Sequence, residues 1–205
     1  MHMNSNLNPS ELITGVVLAG GRGQRMGGVD KGLQGFRRKP LVRHVLERLM
    51  PQVGTILINA NRHRSEYAQW GHAVIPDEDE SFSGPLAGML ASLGHCQTPW
   101  LISVPCDTPF FPSDLVERLL QEAQSTGAQM AVPCTLSSDS RPQWESVFLL
   151  MRTDLREALR LHLNRGERKI ETWIRSQPHV AVPFEDPSAF TNLNTFDDLR
   201  SLDVP

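Results

Sequence analysis

Cysteine is scarce: Cys96, Cys106 and Cys134 are the only three among 205 residues. They are too few and too far apart for a disulfide framework or a Cys-x-x-Cys metal knuckle. An odd number of thiols points to the reducing cytoplasm. Cys96 and Cys134 read as small buried hydrophobes. No apolar run approaches the ~18 residues of a membrane-spanning helix. Residues 1–12 carry neither the cationic nor the apolar segment of a secretory signal, and are expected to form a flexible lead-in to a single domain over 13–205. HExxH and GxSxG are both missing, which removes the main motif support for a zinc hydrolase or an α/β-hydrolase. There is no basic excess either. Lys and Arg number 20 against 23 Asp and Glu, a net charge of −3, where a general nucleic-acid binder would be cationic. The short runs Arg37-Arg38-Lys39 and Arg62-His63-Arg64 lack interleaved aromatics and read as solvated faces. No internal repeat and no long linker occurs.

Apolar residues make up 40% of the chain, enough for a real core. Short apolar runs at 13–19, 55–59, 73–76 and 100–105 read as buried strands. Later strands are expected at 130–133, 146–150 and 180–183. Between them lie helical patterns. Leu41, Val42, Val45, Leu46, Leu49 and Met50 form one stripe, closed by Pro51. Residues 61–70 are expected to hold a short helix. A helix over 84–93 has Pro85 in its first turn, and another follows Ser113 as N-cap with Leu115, Val116, Leu119, Leu120 and Ala123 inward. Further helices are expected over 155–163 and around Ile170, Trp173 and Ile174. Thr195 with Asp198 resembles a capping box opening a C-terminal helix. Alternating strands and helices imply an α/β fold, a three-layer αβα sandwich around a mainly parallel sheet, with a Rossmann-like nucleotide-binding half.

Ligands of such sheets bind outside the carboxyl ends of the strands. That rule selects the loop after Ala19, then Asn59, Asp77 and Asp107. The loop 20–32, GGRGQRMGGVDKG, has six glycines in thirteen residues. Bare glycines let backbone N–H groups approach an anion, and Arg22, Arg25 and Lys31 add cations. The loop is no dinucleotide fingerprint, because Met26 stands where the third glycine belongs, and no Walker A loop, because Gly32 follows Lys31. A triphosphate suits it; so does a merely flexible solvated loop. Asp107, at a strand end beside this loop, reads as a Mg²⁺ ligand or as an Asx-turn residue. Asp77 and Asn59 could read the N–H donors of guanine. Alternatively, Asp77 is the first member of a solvated acidic run, Asp77 to Glu80.

Taken together, LAGGRGQRMGGVDKG with Lys39-Pro40-Leu41, NANRH at 59–63, GPLAGM at 84–89, PCDTPF at 105–110, GERK at 166–169 and FTNLNTFDDL at 190–199 resemble the molybdenum cofactor guanylyltransferases. These are nucleotidyltransferases of glycosyltransferase-A-like fold. The matches run in order from about Val16 to Leu199. The resemblance implies transfer of GMP from GTP to the terminal phosphate of molybdopterin carrying molybdenum, with release of pyrophosphate. It implies GTP contacts at Leu18, Ala19, Gly20 and Gly21, phosphate contacts at Arg25 and Lys31, nucleoside contacts at Asn59 and Asp77, and GTP and Mg²⁺ at Asp107. Catalytic roles fall to Arg25, Lys31 and Asp107. Asn192 and Asn194 match a motif facing the pterin or the metal. Proteins that deliver or accept the cofactor are expected partners. Arg38 replaces a usual Gly, and Phe196 a usual Pro. The competing expectations are a cytidylyltransferase for the same pterin, another nucleotidyltransferase for a small phosphorylated substrate, and a GTP-binding module without turnover. Gly20, where cytidylyltransferases usually carry Ala, speaks for guanine.

Overall fold

The structure is a computed structural model that describes residues 8–19, 30–79, 84–136 and 141–193. In chain order it contains β1 (Ile13–Leu18), β2 (Gly35–Phe36), β3 (Lys39–Pro40), α1 (Leu41–Leu49), β4 (Thr55–Asn59), α2 (Arg64–Ala68), β5 (Ala73–Ile75) and α3 (Pro85–His95). There follow β6 (Trp100–Pro105), α4 (Leu115–Thr126), β7 (Met130–Leu136), β8 (Pro142–Trp144), β9 (Leu149–Arg152), α5 (Arg156–Asn164), α6 (Ile170–Arg175) and β10 (His179–Pro183).

β1 lies inside the main sheet, whose order is β10-β7-β9-β6-β1-β4-β5. It pairs in parallel with both β4 and β6, and β5 continues the parallel run on β4. β9 is inserted antiparallel between β6 and β7, while β10 lies parallel to β7. β8 adds a short antiparallel arm on β7, and β2 and β3 form a separate two-stranded hairpin.

Two cores follow from the pleat. Ile13, Val17, Ile58 and Val104 face α1 and α4 on one side, while Val16, Leu57 and Leu101 face α3, α5 and α6 on the other. Successive side chains of a strand point to opposite faces, so a strand covered on both must be apolar throughout. The expected three-layer αβα sandwich with a mainly parallel sheet is therefore the architecture observed. Gly15 on β1 admits α1 closely: a Cβ there would lie 2.8 Å from Leu49 Cδ2 and 3.2 Å from Val53 Cγ2. α4 closes in a Schellman turn, with Gly127 left-handed at φ 68° and the Ala128 N–H donating to the Ala123 carbonyl at 2.9 Å. No helix among the described residues is long and apolar enough to cross a membrane.

Several local expectations shift. The α1 stripe is buried from Leu41 to Leu49, but Met50 is 47% exposed because the chain tightens there into a 3-10 turn, Met50–Gln52, that contains Pro51. α4 starts after Asp114 rather than after a Ser113 cap, and no side chain of its own caps it. Gln52 Oε1 accepts the Val116 N–H at 3.1 Å instead. The strand expected at 146–150 begins at Leu149, since Phe148 N–H donates to the Glu145 carbonyl in a turn. Cys106 is buried, whereas Cys96 and Cys134 are only half-buried. Residues 9–12 form a 3-10 turn against Gly54. The first seven residues and the C-terminal helix expected after Thr195 lie outside the described residues.

Candidate active site

The chain moves from β1 through β4 to β5 in one direction, then crosses back with α3 to place β6 on the other side of β1. This reversal makes the carboxyl ends of β1 and β6 the switch point of the sheet, the place where open α/β sheets bind ligands. The strands stay paired to the rim. The Ala19 N–H donates to the Asn59 carbonyl at 2.8 Å, the Cys106 N–H to the Leu18 carbonyl at 3.2 Å, and the Ala60 N–H to the Ile75 carbonyl at 3.0 Å. The residues at this edge are held by a continuous ladder, and their order along it is Asp77, Asn59, Ala19, Asp107.

At one end, Asp77 is fixed from two sides. Asn59 Nδ2 donates to Asp77 Oδ1 at 2.9 Å and Asn61 Nδ2 to Oδ2 at 2.7 Å, while Asn61 Oδ1 accepts the Asp77 N–H at 2.8 Å. Asn59 is itself buried and also donates to the Ile75 carbonyl. It lies directly under α3, where Gly88 leaves no Cβ to collide with its Oδ1. The neighbouring Glu78 belongs to a different arrangement. Arg156 and Arg160 of α5 each donate to its carboxylate at 2.8 Å. Burial opposes ionisation of Glu78, but the two guanidiniums outweigh it and hold its carboxyl below the usual range. So the acidic run is no uniformly solvated stretch. Its first member is presented at the rim by two amides, and its second anchors the loop to α5.

At the other end, Lys31 Nζ lies 3.4 Å from Asp107 Oδ2. The segment carrying Lys31 is locked by a buried carboxylate. Asp30 caps the 3-10 turn Lys31–Leu33, and its Oδ1 accepts the Gly32 N–H at 3.2 Å and the Tyr67 hydroxyl at 2.6 Å. Gly32 passes so close beneath Tyr67 that a Cβ would strike the phenol oxygen. Each residue of Asp30-Lys31-Gly32 thus has a separate structural reason. Burial, then the nearby Cys106 and Asp30, push the Tyr67 phenol far up, so it serves as a donor and stays protonated. Burial, then Asp107 and Asp30, likewise push up the Cys106 thiol.

The C-terminal motif reaches the same place. The Leu193 N–H donates to the Asp107 carbonyl at 2.8 Å, and Asn192 Oδ1 accepts from the Thr108 hydroxyl. Leu193 is pinned by packing with Phe36 and Leu41. Among the expected site residues, Leu18, Ala19, Lys31, Asn59, Asp77, Asp107 and Asn192 converge on one rim. Gly20, Gly21, Arg25 and Asn194 lie outside the described residues. Asp30, Asn61 and Tyr67 were not anticipated. Asp30 and Asn61 do lie inside the quoted motifs GGVDKG and NANRH, and Tyr67 is the only tyrosine in the chain, in an otherwise polar segment.

With respect to a metal, no group of three or more His, Cys, Asp or Glu among the described residues could hold an ion. A single rim carboxylate, Asp107, suits Mg²⁺, which takes one or two carboxylates and completes its shell with phosphate oxygens and water. The site thus combines strand-end backbone, one cation, one candidate metal carboxylate and a separate amide-held carboxylate. That is the equipment of an enzyme that handles a nucleoside triphosphate.

Residues 15–181 match the family model described as "MobA-like NTP transferase domain", and the chain belongs to that family. It is 51% identical over 188 residues to a molybdenum cofactor guanylyltransferase of Cupriavidus metallidurans, covering 92% of this chain and 93% of the relative. A relative of the same name from Ralstonia nicotianae is 49% identical, covering 95% and 97%. Among solved structures, the molybdopterin-guanine dinucleotide biosynthesis protein A of Archaeoglobus fulgidus superposes with a TM-score of 0.72 at 22% identity, over 93% of this chain and 96% of that one. The fold extends to 4-diphosphocytidyl-2C-methyl-D-erythritol synthase of Anaerococcus prevotii, with a TM-score of 0.67 at 8% identity over 95% and 97%.

Replacing Tyr67 by Phe removes the hydroxyl that Asp30 accepts and leaves a buried carboxylate one bond short. A stability loss of about 1–3 kcal/mol is expected, read as a lower urea midpoint with an unchanged slope; an unchanged midpoint would show that the contact does not lock the Lys31 turn.

Proposed function

We propose that this chain transfers GMP from GTP to the terminal phosphate of molybdenum-bearing molybdopterin, releasing pyrophosphate and forming the guanine dinucleotide cofactor. The observation that carries this reading is the order of groups along the rim. Asp77 follows β5 and Asp107 follows β6, and these strands lie three spacings apart, about 14 Å at ~4.8 Å per strand. One extended nucleotide can therefore place its base at Asp77 and its phosphates between β1 and β6.

In this reading Asp77 accepts the N–H donors of guanine, with Asn59 and Asn61 setting the carboxylate. A base without those donors would cover the acceptor sites of Asp77 that Asn59 and Asn61 leave open without bonding them, which favours guanine. Asn59 lines the nucleoside from below. Backbone groups from Leu18 to Gly21 cradle the phosphates, and Arg25 and Lys31 neutralise them. Asp107 holds both the nucleotide and Mg²⁺, which would supply charge neutralisation at the phosphates when bound.

The acceptor oxygen belongs to a phosphate already ionised at neutral pH. It attacks the α-phosphorus of GTP; the new P–O bond forms as the bond to the β-phosphate oxygen breaks, and that electron pair leaves with pyrophosphate. No protein nucleophile and no strong base are needed. What the protein contributes is alignment of two anions and preorganised positive charge. The enzyme is assigned to the cytoplasm, where its three free thiols stay reduced, and to a chain of proteins that deliver molybdopterin and accept the product.

The test is pyrophosphate release by the purified chain with molybdenum-molybdopterin, Mg²⁺ and GTP, CTP or ATP in turn. GTP alone should support turnover; a CTP preference would reject the guanylyl reading. Asp107→Ala should cut kcat/KM by about a thousandfold or more with an unchanged far-UV spectrum, and activity near wild type would remove Asp107 from the metal role. Asp77→Ala should lower the preference for GTP over the other nucleotides by about a hundredfold. Equal selectivity before and after would take Asp77 out of the base pocket.

A further inference from the structure

Between the Lys31 turn and α1 the chain makes a two-residue hairpin with a pair of residues ill suited to it. Phe36 pairs with Lys39, so Arg37 and Arg38 occupy the two central positions, and both have positive φ, 44° and 66°. Two-residue hairpins of this hand are normally built from asparagine and glycine, because side chains are strained there. Both arginines point out of the packed core and are exposed. Arg38 extends beyond the hairpin into solvent, while Arg37 lies against neighbouring rings.

The hairpin is nevertheless rigidly seated. Phe36 is 1% exposed and meets Phe110 edge-on at 5.9 Å, and its carbonyl accepts from His44 Nε2 at 2.8 Å. The Arg37 guanidinium lies 5.1 Å from the Phe36 ring centre and 5.7 Å from that of Phe110. Phe110 is three residues beyond Asp107. Leu193, which packs on Phe36, is bonded to the Asp107 backbone. Lys39 and Arg43 share Glu47 at 3.0 Å, whereas Arg38 forms no hydrogen bond or ion pair among the described residues.

We infer that the Arg37–Arg38 tip is a binding site for the acceptor's phosphate monoester, holding it as it approaches the α-phosphate of the nucleotide. This rests on the guanylyl-transfer reading. Strained backbone that the surrounding packing enforces is a mark of functional positions. In-line displacement puts the acceptor opposite the departing pyrophosphate. With the base at the β5 end and the phosphates at the carboxyl ends of β1 and β6, the phosphate end is the one flanked by Phe110, Asn192 and this hairpin. An incoming phosphate and a triphosphate repel each other, and fixed positive charge offsets that repulsion. Guanidinium forks fit phosphate oxygens in pairs.

The experiment replaces the pair by the residues the turn prefers, Arg37→Asn with Arg38→Gly, so folding is protected by design. The thermal unfolding midpoint should rise as strain is relieved. The KM for molybdenum-molybdopterin should rise about tenfold, the loss of one charge-assisted bond, while the KM for GTP stays put. A fluorescence titration of molybdopterin should show the same weakening without turnover. An unchanged acceptor KM, or a rise in the GTP KM instead, overturns the inference and leaves guanylyl transfer standing. A wild-type chain that neither binds molybdopterin nor releases pyrophosphate overturns both.

Discussion

The return crossing from β5 over β1 sets β6 beside β1, with Leu18 paired to Pro105 at the sheet's carboxyl edge, and the other features of the site are arranged along that edge. The rim ladder through Ala19, Asn59, Ala60 and Cys106 keeps the strand ends parallel up to the last residue. This turns sequence-distant polar groups into a fixed row. On the proposed reading, that row serves a nucleotide, with base recognition at one end and phosphate chemistry at the other.

Such a row places charge close to a dry core, and the structure shows how that is made tolerable. Each carboxylate near the rim has its own partners: Asp30 with Tyr67 and the Gly32 N–H, Asp77 with two amides, Glu78 with two guanidiniums, Asp107 with Lys31. Buried charge without such partners costs several kcal/mol. The partners come from different elements, so satisfying the charge also locks loops to helices. Gly32 and Gly88 serve the same end by omission, letting Tyr67 and Asn59 approach backbone that a Cβ would block.

Much of this was readable in advance. β1, β4 and β6 are short apolar runs covered on both faces, β5 is a shorter one at the sheet edge, and the rule that α/β sheets bind ligands at strand ends picked Asn59, Asp77 and Asp107 without a motif. The layer order followed from alternation alone. What escaped depends on through-space pairing. Asn61 matters only because β4 and β5 bring it beside Asp77. Tyr67 and Asp30 are 37 residues apart and carry no joint pattern. The β2–β3 hairpin was missed because Arg37-Arg38 gives no turn signal where Asn-Gly would. β9 was set too early because a turn at 145–148 and a strand look alike in a mixed stretch. Asp77 itself was ambiguous: composition alone could not separate it from Glu78, whereas their partners do.

A crystal structure of the chain with GTP and magnesium addresses the nucleotide's direction along the rim. Guanine density against Asp77, with the α-phosphate and the ion at Asp107 beside Lys31, is the expected result. A nucleotide lying the other way round, with its phosphates at Asp77, or bound away from the carboxyl ends of β1 and β6, would contradict it.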